Sequence, residues 1–246
     1  MFVADFEAYM PAEYNDKPYG KAGLLANADA AGIDLLVVFP GGVPADPRPL
    51  NAHLLTAAKG EKRILPGCLI NPTMGPDATD DLKRCVDKGA RTVKLMAAAH
   101  GYRYDSACSD PVLALAQELG IPATIHSGSP LSGCSPEYIA TLAARHPGVT
   151  IIMDHMGYRE WIGLAVAAAV ANPNIYLGTT LIAAAEPISV KNVVRGGQVG
   201  ADRVVFGSNS PSGVASHGVN GLRDVGFTDA ELALILGENL RRIYRL

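Results

Sequence analysis

Eight short runs of apolar, largely β-branched residues recur along the chain, and amphipathic stretches follow each of them. The runs are Phe2–Glu7, Ile33–Phe39, Arg63–Ile70, Arg91–Met96, Ile121–His126, Val149–His155, Ile175–Thr179 and Arg203–Gly207. The stretches, rich in alanine and leucine, fall near 20–31, 47–59, 77–88, 110–119, 136–145, 159–171, 188–198 and 229–243. Steady alternation of strand and helix predicts a parallel sheet, and eight units is the number that closes a barrel. A doubly wound open sheet is the alternative, but it calls for a glycine-rich phosphate loop, and neither GxGxxG nor a Walker-type sequence is present. The expected fold class is therefore α/β, a single (β/α)8 TIM barrel with one domain over residues 1–246.

Helix ends are well marked. Ser135-Pro136-Glu137 places a capping hydroxyl before a first-turn proline, and Thr228-Asp229-Ala230-Glu231 reads as a capping box. Gly32, Gly89, Gly120 and Gly148 each fall between a helix and the next strand, where a left-handed residue ends a helix at little cost. No Ser/Gly/Pro-rich linker divides the chain.

Composition narrows the function classes. The 246 residues are 48% hydrophobic and 18% charged, enough apolar surface for one large core. A net charge of −3 and a pI near 6.1 speak against nucleic acid or an anionic membrane as partner. The first ten residues, MFVADFEAYM, are broken by Asp5 and Glu7 and lack the basic start of a signal peptide, so a cytoplasmic location is expected. No uncharged apolar stretch is long enough for a transmembrane helix. Cys68, Cys85, Cys108 and Cys134 form no CxxC pair and read as reduced thiols. The apolar helix LAVAAAVA at 164–171 hints at a homo-oligomer, although packing against neighbouring helices explains it as well.

In a parallel barrel, chemistry sits at the C-terminal ends of the strands. Those ends carry Glu7 and Tyr9, then Asn71, then Lys94 with Met96, then His126, His155, Thr179-Thr180 and Asn209. His126 and His155 each close a strongly apolar strand, and burying two imidazoles there is costly unless they are partnered. Neighbouring strand ends hold such rings rigidly a few ångströms apart, as a metal requires. His53 and His146 read as ordinary helix and helix-exit residues, while His100 and His217 stay open.

Several segments, in order along nearly the whole chain, resemble the second large family of amidohydrolases, the one that includes decarboxylases and lactonases. They are Gly32-Ile33-Asp34 leading into VVFP, ARTVKL, ELGIPATIHSG, HPGVTIIMDHMG, Asn174-Ile175-Tyr176-Leu177 and GADRVVFGSNSP. The resemblance implies a barrel with one or two metal ions in its mouth. His126 would be a ligand, and His155 a ligand or an acid/base. It also exposes departures. The family's first-strand His-x-His pair corresponds to Glu7 and Tyr9, and the histidine after Lys94-Leu95 to Met96. The eighth-strand aspartate corresponds to Asn209, an amide far too weakly basic to activate water.

Three readings follow. Two histidines plus a carboxylate favour Fe(II) and oxygen chemistry, so the preferred expectation is a non-haem iron monooxygenase. One or two ions would sit on Glu7, His126 and His155, with Glu186 as a further ligand. His155, Asn209, Tyr9 and Lys94 would be the catalytic groups. The second reading is a zinc or manganese hydrolase or lactonase, its water activated by Asp154, Glu160 or Glu186. The third is a barrel kept only for binding. A plain Glu7–Lys94 ion pair is the competing reading for Glu7, and a solvated helix-start charge for Glu186. The catalytic-side loops (Gly41–Pro44, Ala97–Ala99, Ser127–Gly133, Leu181–Ala185, Ser208–Ser216) are small and poorly charged. They suit a bulky, mostly apolar organic small molecule. Arg103 and Arg159 are the arginines placed nearby.

Overall fold

The structure, a computed structural model, describes residues 1–128 and 133–246. Eight parallel strands run in sequence order: β1 Ala4–Met10, β2 Leu35–Pro40, β3 Ile64–Leu69, β4 Thr92–Leu95, β5 Ala123–Ile125, β6 Ile151–Met153, β7 Ile175–Gly178 and β8 Val204–Val205. The seam between β1 and β8 is closed by backbone hydrogen bonds. Phe6 N donates to Phe206 O at 2.9 Å, Asn209 N to Glu7 O at 2.9 Å and Tyr9 N to Ser210 O at 2.7 Å. The expected single (β/α)8 barrel is therefore the observed one.

Around it lie α1 Gly20–Ala31, α2 Arg48–Ala58, α3 Pro76–Asp87, α4 Asp110–Leu119, α5 Pro136–Arg145, α6 Tyr158–Ala171, α7 Pro187–Arg195, α8 Ala215–Asp224, α9 Asp229–Ala233 and α10 Asn239–Tyr244. Two hydrophobic layers result. The outer one packs helices on the sheet. The inner one joins Ala4, Phe6, Leu35, Val37, Phe39, Ile152 and Val205 inside the barrel. Leu240 and Tyr244 of α10 pack into that inner layer and plug the end opposite the catalytic mouth.

The structure departs from the sequence expectations at a few points. α8 was missed because Gly218 and Gly221 lower its helix propensity. Both positions need glycine for space: an added Cβ would meet the Phe206 ring at 2.8 Å and Ala183 O at 2.4 Å. The final helix runs over 229–244 as expected, with a π segment at Leu234–Glu238 inside it. Gly32, Gly89 and Gly120 are left-handed as expected, but Gly148 is not. It is small because a Cβ there would lie 2.6 Å from the Gln117 side chain. Two expected loops are partly coiled, into Ala97–His100 and Ile182–Ala185. Ser135 caps α5, and Thr228 with Glu231 forms the capping box of α9. The four cysteines are unpaired. Among the described residues, no helix is long and apolar enough to cross a membrane.

Candidate metal centre in the barrel mouth

The mouth is built by two local breaks in strand periodicity. A regular strand sends successive side chains to opposite faces. In β1 the pairing register with β2 shifts between Asp5 and Ala8. Such a bulge re-aims side chains. Phe6 joins the inner barrel layer, yet Glu7 also reaches the interior, where it meets groups from β4 and from the segment after β7. The amide of Glu7, displaced from the ladder, donates to Asp5 Oδ1 at 2.9 Å.

The second break follows β6. Asp154 and His155 are adjacent, so an extended chain would separate them. Instead His155, Met156, Gly157 and Tyr158 have φ of 56°, 38°, 82° and 55°. Left-handed backbone costs roughly 1–2 kcal/mol per non-glycine residue. The turn folds His155 back until its Nε2 lies 3.2 Å from Asp154 Oδ2. From β5, His126 brings Nδ1 to 3.5 Å from the same oxygen. Ligand atoms of His126, Asp154 and His155 all lie within 4.8 Å of one another.

The protons in this cluster are informative. His155 Nδ1 lies 3.2 Å from the Thr180 carbonyl oxygen, which only accepts, so that nitrogen carries the hydrogen. Nε2 then turns a lone pair toward the carboxylate of Asp154. Burial drives the His155 pKa down to about 4, with His126 and Lys94 adding to the depression and Asp154 opposing it, so the ring is neutral near pH 7. Among the described residues, buried His126 Nδ1 and Asp154 Oδ1 have no hydrogen-bond partner. The His155 lone pair, the His126 ring and the Asp154 carboxylate thus converge, which is the donor set of a divalent cation. The residues fit a metal.

Lys94 forms the floor. It is fully buried and donates to Glu7 Oε1 and, at 3.1 Å, to Asp154 Oδ2. Its Nζ lies 5.2 Å from the Tyr9 ring centre and 5.1 Å from that of Phe39. Burial opposes the ammonium, but Asp154 and Glu7 outweigh it and raise its pKa. Burial would also raise Asp154, but His155 and Lys94 prevail and hold it well below the usual carboxylate range. Glu7 goes the other way: burial and the Asp154 charge push its carboxyl well up, further than Lys94 pulls it back. Two neighbouring carboxyls with opposed shifts make a proton holder and an anion. Tyr9 Oη donates to Glu7 Oε1 at 2.5 Å, and Thr180 Oγ1 to Oε2 at 2.8 Å.

The residues singled out from sequence therefore divide. His126, His155, Lys94, Glu7 and Tyr9 are brought together. The carboxylate that joins the two imidazoles is Asp154, whereas Glu7, expected beside them as a ligand, takes the Lys94 ammonium and two hydroxyls. Glu186 stands outside this group, at the start of α7, with Oε1 3.0 Å from Arg159 Nε. Asn209 sits at the rim, with φ of 62°, lining a cavity of about 380 Å³ with Tyr9, Pro11, Tyr14, Gly41, Val43 and Met96. Glu13 is the one charged residue of its lining. Arg103 is paired with Asp105 and Arg159 with Glu186. His53 and His217 are exposed, His146 pairs with Asp110, and His100 Nε2 lies 3.1 Å from Pro44 O. Ser129–Ser132, part of one loop expected to line the cavity, lie outside the described residues.

Solved structures with this architecture include 2,6-dihydroxybenzoate decarboxylase from Rhizobium, 19% identical with a TM-score of 0.75, covering 99% of this chain and 98% of that one. The 5-carboxyvanillate decarboxylase of Sphingomonas paucimobilis is 14% identical with a TM-score of 0.77, covering 100% and 99%. That of Novosphingobium aromaticivorans, complexed with manganese and 4-hydroxy-3-methoxy-5-nitrobenzoic acid, is 14% identical with a TM-score of 0.79, covering 100% and 96%. No curated protein matches the sequence. A family model described as Amidohydrolase matches residues 5–246, and with nearly every residue from the bulged first strand to the C-terminal plug inside that match, the chain belongs to the amidohydrolase family.

Proposed function

We propose that this protein is a divalent-metal-dependent lyase that removes a carboxyl group from a small aromatic acid. The observation that carries the metal is the convergence of His126, Asp154 and His155, with the His155 Nε2 lone pair facing the Asp154 carboxylate and buried atoms that find no partner among the described residues. A divalent ion held there would polarise a substrate oxygen. Decarboxylation is favoured by the activity of the structural neighbours and by the loss of the eighth-strand base at Asn209. Manganese is the metal of one neighbour and suits a site containing a carboxylate.

The chain's own groups supply the rest. When a C–CO2 bond breaks, its electron pair stays on the ring carbon, which must then take a proton. Burial and the Asp154 charge shift the Glu7 carboxyl toward its protonated form, which makes it the candidate proton reservoir. Tyr9 lines the cavity and touches Glu7, so it links that proton to the substrate. Tyr9 is itself a poor acid, raised by burial and by Glu7. It can pass a proton on only while receiving one from Glu7. The Lys94 ammonium balances Asp154 throughout. The cavity volume falls in the ~300–1,000 Å³ range of small-molecule sites and suits one aromatic ring with substituents.

A metal-dependent hydrolase is the second reading, favoured by the unpartnered, ionised Asp154 oxygen, which could orient an attacking water. The iron oxygenase preferred from sequence draws no support from the decarboxylases that share this architecture. The test is metal analysis of protein purified without added metal, followed by chelation and reloading with Mn(II), Zn(II) or Fe(II). Loss of CO2 from a panel of hydroxybenzoic acids is then monitored. Manganese-dependent CO2 release supports the proposal. Failure to retain any of the three ions, or full retention by His126→Ala and His155→Ala, overturns it.

A further inference from the structure

We infer that Ser127 is the positioning residue that holds Asp154 and His155 in their ligand geometry, an assignment whose consequence for metal binding rests on the proposed function above. Ser127 follows His126 at the end of β5 and is fully buried. Its Oγ donates to the backbone carbonyl of Asp154 at 2.5 Å and accepts from the amide of Gly157 at 2.9 Å. One hydroxyl on the neighbouring strand end thus spans the whole left-handed turn. It bonds a carbonyl before the turn and an amide within it, both buried in the barrel mouth.

That turn is the device that brings two sequence neighbours to one point. Relaxed to extended backbone, it would carry the His155 ring away from the Asp154 carboxylate. The other tie on the ring is the Thr180 carbonyl at Nδ1, which orients the imidazole but does not fix the backbone. Ser127 also sits one peptide bond from His126, so the same hydroxyl sets the spacing between the β5 ligand and the β6 pair. Its hydrogen is committed to Asp154 O and a lone pair to Gly157 N. That leaves it no role as a nucleophile or as a ligand.

The experiment compares wild type, Ser127→Ala and Ser127→Thr as full-length chains. Two quantities are read: hydrogen exchange of the 154–158 segment without metal, and Mn(II) affinity from the signal of the free ion. Ser109→Ala, at a buried serine that bonds neither Asp154 nor Gly157, controls for loss of a hydroxyl. Ser127→Ala is expected to exchange at the Gly157 amide at least ~10-fold faster and to bind Mn(II) roughly 10–100-fold more weakly, the range for a lost partner of a metal ligand. Ser127→Thr and Ser109→Ala should stay within about threefold of wild type. If Ser127→Ala does not fold, Ser127→Cys, with a weaker donor of similar shape, carries the same expectation at smaller amplitude. Exchange and affinity both within twofold of wild type would overturn the assignment. A wild-type chain that takes up no Mn(II) would instead remove the metal reading, and exchange alone would then decide on Ser127.

Discussion

Replacing Lys94 by methionine should be among the most damaging single changes in this barrel. The ammonium is buried and serves two buried carboxyls, Glu7 and Asp154. A hydrogen bond to a charged group contributes about 1.5–3 kcal/mol, and two are lost. Removing one partner of a buried ion pair costs about 3–5 kcal/mol in general. Methionine fills much of the stem's volume, so little cavity term is added. The expected loss is therefore about 3–5 kcal/mol, or roughly 10 °C in Tm for a domain of this size. The pH dependence follows. Without the ammonium, the Glu7 carboxyl is raised further above its unfolded value. Its stabilising contribution is then present below the unfolded pKa and lost as pH rises through the folded one. The deficit should thus be larger at pH 8 than at pH 5. Urea unfolding of chelated protein at both values is the assay. The double variant Glu7→Gln/Lys94→Met should recover about 1 kcal/mol or more, because it removes one stranded acid. A loss under about 1 kcal/mol, or a double variant no more stable than Lys94→Met, would refute the buried triad as a source of stability.

Two further outcomes are expected. Burial raises Asp5 to about 7, against opposing hydrogen bonds from Ser208 and the Glu7 amide, so its contribution is lost as pH rises from about 4 through 7. His155, lowered to about 4, contributes stability that is lost as pH falls from about 6.5 through 4. The two slopes oppose each other, each on the order of 3–4 kcal/mol at full span. Asp5→Asn should expose the steep acid-side loss of His155 in urea titrations at pH 4.5, 6 and 8, and a flat profile would contradict this. Asn209→Asp keeps a residue tolerant of left-handed backbone and restores a base at the rim, so it should raise aryl-ester hydrolysis by metal-loaded protein at least ~10-fold. No gain would mean that more than the base separates this mouth from a hydrolytic one.

The barrel could be read from sequence because burial on both faces leaves each strand a continuous apolar run, and eight such runs admit few closures. The two histidines were legible for the same reason, as polar residues ending apolar strands. The carboxylate between them was harder to assign. Strand alternation sets Asp154 on the face opposite His155, and nothing in Met-Asp-His-Met-Gly announces four left-handed residues, only one of which is glycine. Glu7 was seen as belonging to the mouth, but its partner was settled by a bulge and by the reach of Lys94 across the barrel, neither of which periodicity encodes. Glu186 was drawn toward the mouth by its place after β7, yet Arg159 was near enough to take it. Ser127 escaped notice because its hydroxyl serves backbone atoms 27 and 30 residues away.

The β1–β8 seam also bears on synthesis. Asp5 takes its side-chain and amide donors from Ser208, 203 residues later in the chain. At roughly 5–20 residues per second, a ribosome makes the first residue some ~10–40 s before the second. During that interval the acidic strand that founds the mouth has no seam to join and must stay hydrated. Glu7 likewise waits for Lys94, Asp154 and Thr180. The barrel can nucleate among its middle strands, but its chemistry comes into being only when the last strand has been made and returns to the first.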